Sequence, residues 1–312
     1  MNAFHRELAA AISRTLEGTP FEVSHAQAIH GGDISQAFRL DGGTRSFFVK
    51  VQPAARLGMF EAEAAGLTEL AAAQAVRVPQ PVCHGIAAGQ AFLVLEYLRL
   101  QPHGDAAQLG RQLAQQHRVS APQFGWVRDN WIGATPQPNT GCEGWVDFWR
   151  SQRLGFQLQL AAENGYGGAL QRDGATLLAD LDAFFAGYVP ARSLLHGDLW
   201  GGNHGYLADG TYDLSCPSGR RKSEYPCGTP VIFDPAVYFG DRECDLAMSE
   251  LFGGFAPGFY AAYREAWPLD AGYAVRKMLY NLYHVLNHAN LFGDGYVAQA
   301  QRMTAQLLAH IR

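Results

Sequence analysis

Long apolar runs are missing from this 312-residue chain. No stretch approaches the roughly 18 uninterrupted apolar residues of a membrane span, and the N-terminus lacks the basic, apolar, small-residue order of a signal peptide. A cytoplasmic protein without a membrane partner is therefore expected. An excess of one charge sign is missing too: 24 Lys and Arg against 29 Asp and Glu leave a net charge of −5. That balance provides no broad basic face for nucleic acid and is easier to reconcile with small or cationic partners. Cysteine is scarce. Cys83, Cys142, Cys216, Cys227 and Cys244 are an odd number at irregular spacing, which excludes a disulfide framework and leaves reduced thiols as the default. Internal repeats and low-complexity tracts are absent, which excludes a repeat array. Oligomeric state is not legible.

What is present is a globular apolar fraction of 48% and two differently patterned regions. Phe4, Leu8, Ile12 and Leu16 share one face of an opening helix. From Phe21 to Leu98 the chain is strand-rich. "IHGGDISQAFRLDGGTRSFFVKV" reads as three strands joined by glycine turns, "MFEAEAAGLTELAAA" as a helix with a Phe60, Ala64, Leu67, Ala71 stripe, and "VCHGIA" and "AFLVLEYL" as two further strands. Beyond Leu98 the pattern predicts helices near 106–117, 145–163, 173–187, 241–252, 258–265, 270–290 and 296–311, interrupted by short strands around "LLHGDLWGGNHGYLADG" and "GTPVIFDP". The expected fold class is α+β: a small five-stranded antiparallel lobe over 1–98 with a capping helix, then a larger helical lobe over 99–312.

Moving a phosphoryl group from ATP to a hydroxyl is mostly positioning and charge neutralisation. It needs a glycine turn, a lysine for the phosphates, oxygen ligands for Mg²⁺ and a carboxylate to orient the acceptor. "HGGDIS" offers Gly31, Gly32 and the hydroxyl of Ser35, although two adjacent glycines also suit an ordinary hairpin. Lys50 ends an apolar strand and calls for a partner, for which Glu63 is the candidate; a snorkelling lysine and a solvated glutamate are the alternative. In "HGDLWGGN", Asp198 and Asn203 share one loop, and Asp234 emerges after the apolar "VIF". His196 reads as an orienting hydrogen-bond residue. His284 and His288 have a zinc-compatible i, i+4 spacing but no third ligand, so they read as ordinary helix histidines. Trp131, Trp149 and Trp200 suit sugar stacking or core packing equally well.

The ordered pieces "HGGDIS", "FFVK", "MFEAEAAGL", "LVLEYL", "FGWVRDNWIGATPQPN", "FWRSQRL", "LLHGDLWGGN", "VIFDPAVYFGDRECDLAM" and "YNLYHVLNHANLFG" resemble the fructosamine kinase (ketosamine 3-kinase) family, a protein-kinase-like and aminoglycoside-phosphotransferase-like branch. The likeness runs through nearly the whole chain. It implies that Lys50 pairs with Glu63 and holds ATP phosphates, that Leu95, Glu96, Tyr97 and Leu98 form the adenine hinge, that Asp198 is the catalytic base, and that Asn203 and Asp234 hold Mg²⁺. It further implies ATP-dependent phosphorylation of a sugar hydroxyl, O3, of free or protein-bound ketosamines, whose phosphorylated adducts decompose and release the amine. A related kinase for an aminoglycoside, choline or a thio-sugar, and a kinase-like binding module without turnover, are the alternatives. Asp234, Asp241, Glu243, Asp245 and Glu250 against Arg242 suit Mg²⁺ and a ketosamine ammonium, whereas helix-start and structural pairing is the other reading of Asp241, Glu243, Asp245 and Glu250.

Two departures stand out. Asp33 replaces the cysteine that members of the family often carry at the glycine turn, so redox control there is not expected. Residues 211–228, "TYDLSCPSGRRKSEYPCG", form an apparent 18-residue insertion into a simple family hairpin, basic at Arg220, Arg221 and Lys222. Such a loop is tolerated because closure entropy grows slowly with length. Cys216 and Cys227 within it suit either a disulfide or two free thiols.

Overall fold

The computed structural model describes residues 2–16, 20–29, 35–208, 212–213, 221–222 and 225–311. In chain order the elements are α1 (Ala3–Thr15), β1 (His25–Ile29), β2 (Gln36–Gly42), β3 (Arg45–Pro53), α2 (Leu57–Ala72), β4 (Pro81–Ala87), β5 (Gln90–Glu96), β6 (Leu100–Gln101) and α3 (Ala106–Gln116). They continue with β7 (Asn130–Ile132), β8 (Thr135–Gln137), α4 (Trp145–Phe148), α5 (Gly155–Glu163), α6 (Ala169–Ala179), β9 (Ser193–Leu195), β10 (His204–Leu207), β11 (Tyr212–Asp213) and β12 (Arg221–Lys222). The chain ends with β13 (Pro230–Ile232), β14 (Tyr238–Gly240), α7 (Glu243–Leu251), α8 (Pro257–Ala266), α9 (Tyr273–Phe292) and α10 (Asp294–Ile311). No helix among the described residues is long and apolar enough to cross a membrane.

These elements group into two compact units, Met1–Leu109 with His204–Asp234, and Gly110–Asn203 with Pro235–Arg312. A division at Leu98, as the sequence pattern suggests, leaves β10 and β13 with the helices. In the structure β10 pairs antiparallel with both β13 and β6, and those ladders tie the returning segment to the first unit.

In the first unit, β1-β2-β3-β5-β4 form one wholly antiparallel sheet. Side chains alternate across a strand, so the buried Phe47, Val49 and Val51 of β3 share a face with Leu40, Phe92 and Val94 and pack with Phe4, Leu8 and Ile12 of α1. The same alternation turns Lys50 to the opposite face. Within residues 211–228, β11 and β12 pair antiparallel, Tyr212 opposite Lys222 and Asp213 opposite Arg221; Cys216 and Arg220 lie outside the described residues.

The second unit is helical around two short ladders, β7 with β8 and β14 with β9. The pattern over 145–163 predicts one continuous helix, but a π-helical stretch, Trp149–Leu154, separates α4 from α5. The N–H of Gly155 reaches back to the carbonyl of Arg150, and a Cβ on Gly155 would lie 2.2 Å from that oxygen, so the wide turn needs glycine. Arg153 in this stretch is fully buried, 4.0 Å above the Tyr238 ring, and donates to the Pro138 carbonyl and to Asn139 Oδ1 at 2.6 and 2.7 Å.

Candidate active site

In the first unit, Lys50 Nζ lies 2.7 Å from Glu63 Oε1 and 2.7 Å from Asp234 Oδ1. Burial alone would lower this amine's pKa, but the attraction of the two carboxylates overrides it and raises the pKa above the lysine range. Glu63 is pushed up, chiefly by its own burial, with Lys50 acting against that. Asp234 differs from Glu63: its side chain is 44% exposed, and its backbone sits at φ +57°, the left-handed region. That conformation costs a non-glycine residue roughly 1 kcal/mol, least for Asp and Asn, and turns the carboxylate sharply off the end of the buried β13.

Of the remaining first-unit candidates, Gly31, Gly32 and Asp33 lie outside the described residues. The Ser35 hydroxyl accepts from Gln52 Nε2 at 3.0 Å. Leu95 and Glu96 close β5, with Tyr97 and Leu98 directly after. The Glu96 side chain is turned inward, where its carboxylate accepts from Arg77 and from the Gln80 N–H. Tyr97 carries the Arg39 guanidinium 4.7 Å from its ring centroid.

In the second unit, β9 delivers the chain to His196 and Gly197, whose N–H groups donate to Asp245 Oδ2 and Oδ1 at 2.7 and 2.8 Å. Gly197 has φ +84°, and a Cβ there would lie 2.0 Å from the Ala236 carbonyl, so only glycine makes this turn. His117 lies 3.1 Å from the same carboxylate. Burial alone would raise the Asp245 pKa, but the hydrogen bond and charge of His117, the His196 ring and the Gly197 N–H together hold it below the usual carboxylate range. Past this anchored backbone stands Asp198. Its N–H donates to His196 Nδ1 at 3.3 Å, which assigns His196 the orienting role expected from sequence. Asn203 donates its amide to the Asp198 carboxylate at 3.1 Å and to the Asp198 carbonyl at 2.9 Å. With its hydrogens so used, Asn203 has its carbonyl oxygen to offer a cation. An amide oxygen is a hard donor of the kind Mg²⁺ takes, as is, in the first unit, the carboxylate of Asp234.

The acidic stretch after Asp234 is committed internally. Asp241 accepts from the Tyr280 and Tyr188 hydroxyls at 2.5 and 3.0 Å. Glu243 forms a two-pronged pair with Arg276 at 2.8 and 3.0 Å, and Glu250 binds Lys277 at 2.7 Å. Only Asp234 of the five is left exposed. Trp149 is core, packed on Tyr280, whereas the half-buried Trp200, two residues past Asp198, meets Phe252 edge-on at 6.4 Å. His284 is buried, which pushes its pKa down to about 3, and His288 Nδ1 lies 2.8 Å from the His284 carbonyl. Among the described residues no group of three or more His, Cys, Asp or Glu is placed to hold a metal.

Three contributors are not legible as such in the sequence. Asp245 is legible there as a helix-start carboxylate, not as the anchor of a loop 48 residues upstream. Asn130 and Gln137, in β7 and β8, donate to the Val237 and Ala236 carbonyls at 2.8 and 3.1 Å, fixing the backbone just after Asp234. Their only cue is a group of amides in an apolar setting.

These groups are not isolated similarities. A sequence profile described as fructosamine kinase matches residues 5–310. A Synechocystis protein named a probable ketoamine kinase is 43% identical over 304 residues, 96% of each chain. The Arabidopsis thaliana protein-ribulosamine 3-kinase is 36% identical over 300 residues, covering 95% of this chain and 86% of its own. The crystal structure of a Haemophilus somnus protein described as a fructosamine-3-kinase superposes with a TM-score of 0.83 at 29% identity, over 98% of this chain and all of that one. The five-stranded antiparallel sheet followed by helices is the protein-kinase-like α+β fold. With the match spanning nearly every element that carries Lys50, Asp198, Asn203 and Asp234, the chain belongs to the fructosamine kinase family.

Proposed function

We propose that this protein is a ketosamine kinase that transfers the γ-phosphoryl group of ATP to a sugar hydroxyl, O3, of ketosamines formed when amines are glycated. The observation that carries the reading is Lys50, a nearly buried cation shared by a buried carboxylate and an exposed one. A buried ion pair stabilises a fold weakly, if at all, whereas a fixed ammonium beside an exposed carboxylate suits a polyphosphate arriving with a metal ion. In this reading Lys50, oriented by Glu63, holds phosphate oxygens, the 95–98 backbone receives adenine, and the glycine turn with Ser35 covers the phosphates. Asn203 and Asp234 hold Mg²⁺, which when bound neutralises phosphate charge.

Asp198 orients the acceptor hydroxyl and takes its proton as the hydroxyl oxygen bonds to the γ-phosphorus and the bond to the departing ADP oxygen breaks. His196, Asn203 and Asp245 keep that carboxylate in place. The product adduct then decomposes and frees the amine. The ketosamine assignment is supported over an aminoglycoside, choline or thio-sugar acceptor by full-length identity to proteins named for ketoamines and ribulosamines. A cytoplasmic setting accompanies it.

ADP release measured across ribulosamines, erythrulosamines and fructosamines tests the proposal. Turnover on at least one sugar is expected. ATP binding without turnover on any of them replaces the kinase with a binding module, and turnover on aminoglycosides or choline alone replaces the substrate class.

A further inference from the structure

Arg77 stands where three segments of the first unit meet. Its carbonyl accepts from the Ile232 N–H at 3.0 Å, and Arg77 bridges to Val231, so its main chain holds β13, the strand that ends two residues before Asp234. Its guanidinium donates to the Val78 carbonyl and to the carboxylate of Glu96, at the end of β5. The third segment is the insertion. The ring of Tyr225 lies against the guanidinium, 5.1 Å from its carbon to the ring centroid.

The stem that carries Tyr225 is itself pinned. Gly228 donates to the Leu207 carbonyl at 2.8 Å and accepts from the Asp105 N–H at 3.4 Å, and Gln101 Nε2 lies 3.8 Å from Cys227 Sγ. The Arg77 and Glu96 side chains are only 10% and 6% exposed, while Tyr225 is 48% exposed. An ion pair this sheltered depends on water being kept away from it. The ring screens one guanidinium face, and its quadrupole attracts the cation.

We propose that Arg77 is a positioning residue for nucleotide binding and that Tyr225 clamps it, so that this ring sets affinity for ATP. The path runs from the Tyr225 ring through the Arg77 guanidinium to Glu96 and the 95–98 backbone. This rests on the proposed assignment of that backbone to adenine.

The test uses the full-length chain and measures Mg·ATP binding by calorimetry beside steady-state KM values for ATP and for a ketosamine. Tyr225→Ala weakens ATP binding about threefold to tenfold, the scale of one cation–π contact. It raises the KM for ATP with kcat and the ketosamine KM unchanged, while the melting temperature falls by no more than a few degrees. Tyr225→Phe keeps the ring and keeps wild-type affinity. Arg77→Lys, which cannot form the planar fork, weakens ATP binding at least as much as Tyr225→Ala. In a Glu96→Gln background, the added effect of Tyr225→Ala shrinks.

Unchanged ATP affinity in Tyr225→Ala overturns the proposal, as does an equal rise in both KM values, a Phe variant as impaired as Ala, or full additivity with Glu96→Gln. Failure of the wild-type chain to bind ATP at all is a separate result, which removes the nucleotide assignment along with the clamp.

Discussion

The Lys50 cluster and the Asp198 loop hold their functional groups by opposite means. Around Lys50, side chain grips side chain: one ammonium, a buried carboxylate and an exposed one, with Asp234 on left-handed backbone. Around Asp198, side chain grips backbone: Asp245 accepts the N–H groups of residues 196 and 197, and Asn203 donates to the Asp198 carbonyl as well as to its carboxylate. The first arrangement can exchange an Asp234 contact for a phosphate oxygen without moving the main chain. The second cannot shift without leaving buried donors unsatisfied. The proposed reaction, which admits a charged nucleotide and keeps a fixed base, is served by that division.

The largest effect that can break the comparison is at Asp198, the proposed base. Asp198→Asn lowers turnover about 10²-fold or more while the melting curve stays in place. Near-normal turnover would take the base role away from Asp198. Next comes Lys50→Met, for which a fall of about 10² in kcat/KM accompanies weaker ATP binding in calorimetry. If ATP affinity stays at the wild-type level, the charge exchange described for this cluster is wrong.

Asp245→Asn sharpens the other side. An amide offers one acceptor oxygen where two backbone donors need two, so unfolding in urea should show a loss of about 1–3 kcal/mol, with roughly tenfold slower turnover from a loosened loop. The sign with pH is set by the lowered folded pKa of Asp245. Its contribution is complete above the ordinary carboxyl pKa and is lost only as pH falls through the lower folded value. The stability gap between wild type and Asp245→Asn is therefore flat above about pH 5 and closes below it.

At neutral pH the smallest effect is at His284, which burial keeps neutral down to about pH 3 against an ordinary value of 6.5. The unfolded chain binds this proton first, so stability is complete above 6.5 and falls as pH drops from there toward 3. His284→Gln flattens that part of the stability profile, and a profile of unchanged slope would show that His284 does not titrate this way.

Much of the first unit was legible because its signals are local. Alternation over "FFVKV" puts Lys50 on the face away from Phe47 and Val49, and glycine turns mark the strand ends. The second unit was legible in its helices but not in what joins them. Strands of three residues, such as β7, β8 and β14, are too short to display a period. The π stretch at Trp149–Leu154 keeps apolar residues flowing through a register change whose only cue is Gly155. The acidic residues after Asp234 were read as candidate ligands because their partners are far along the chain. Arg276 lies 33 residues beyond Glu243, and Tyr280 lies 39 beyond Asp241. Asp245 has the same difficulty in reverse, since nothing near it in sequence announces the loop it anchors.

The separation of 184 positions from Lys50 to Asp234 also has a meaning in time. On a ribosome the five-stranded sheet and α2 are complete long before β13 is made, so the nascent Lys50 has Glu63 as its sole carboxylate of the two. Until residues 225–234 have been translated, the Arg77–Glu96 pair lacks Tyr225 and the lysine lacks its second counter-charge. Neither compact unit can be excised as one uninterrupted piece of gene.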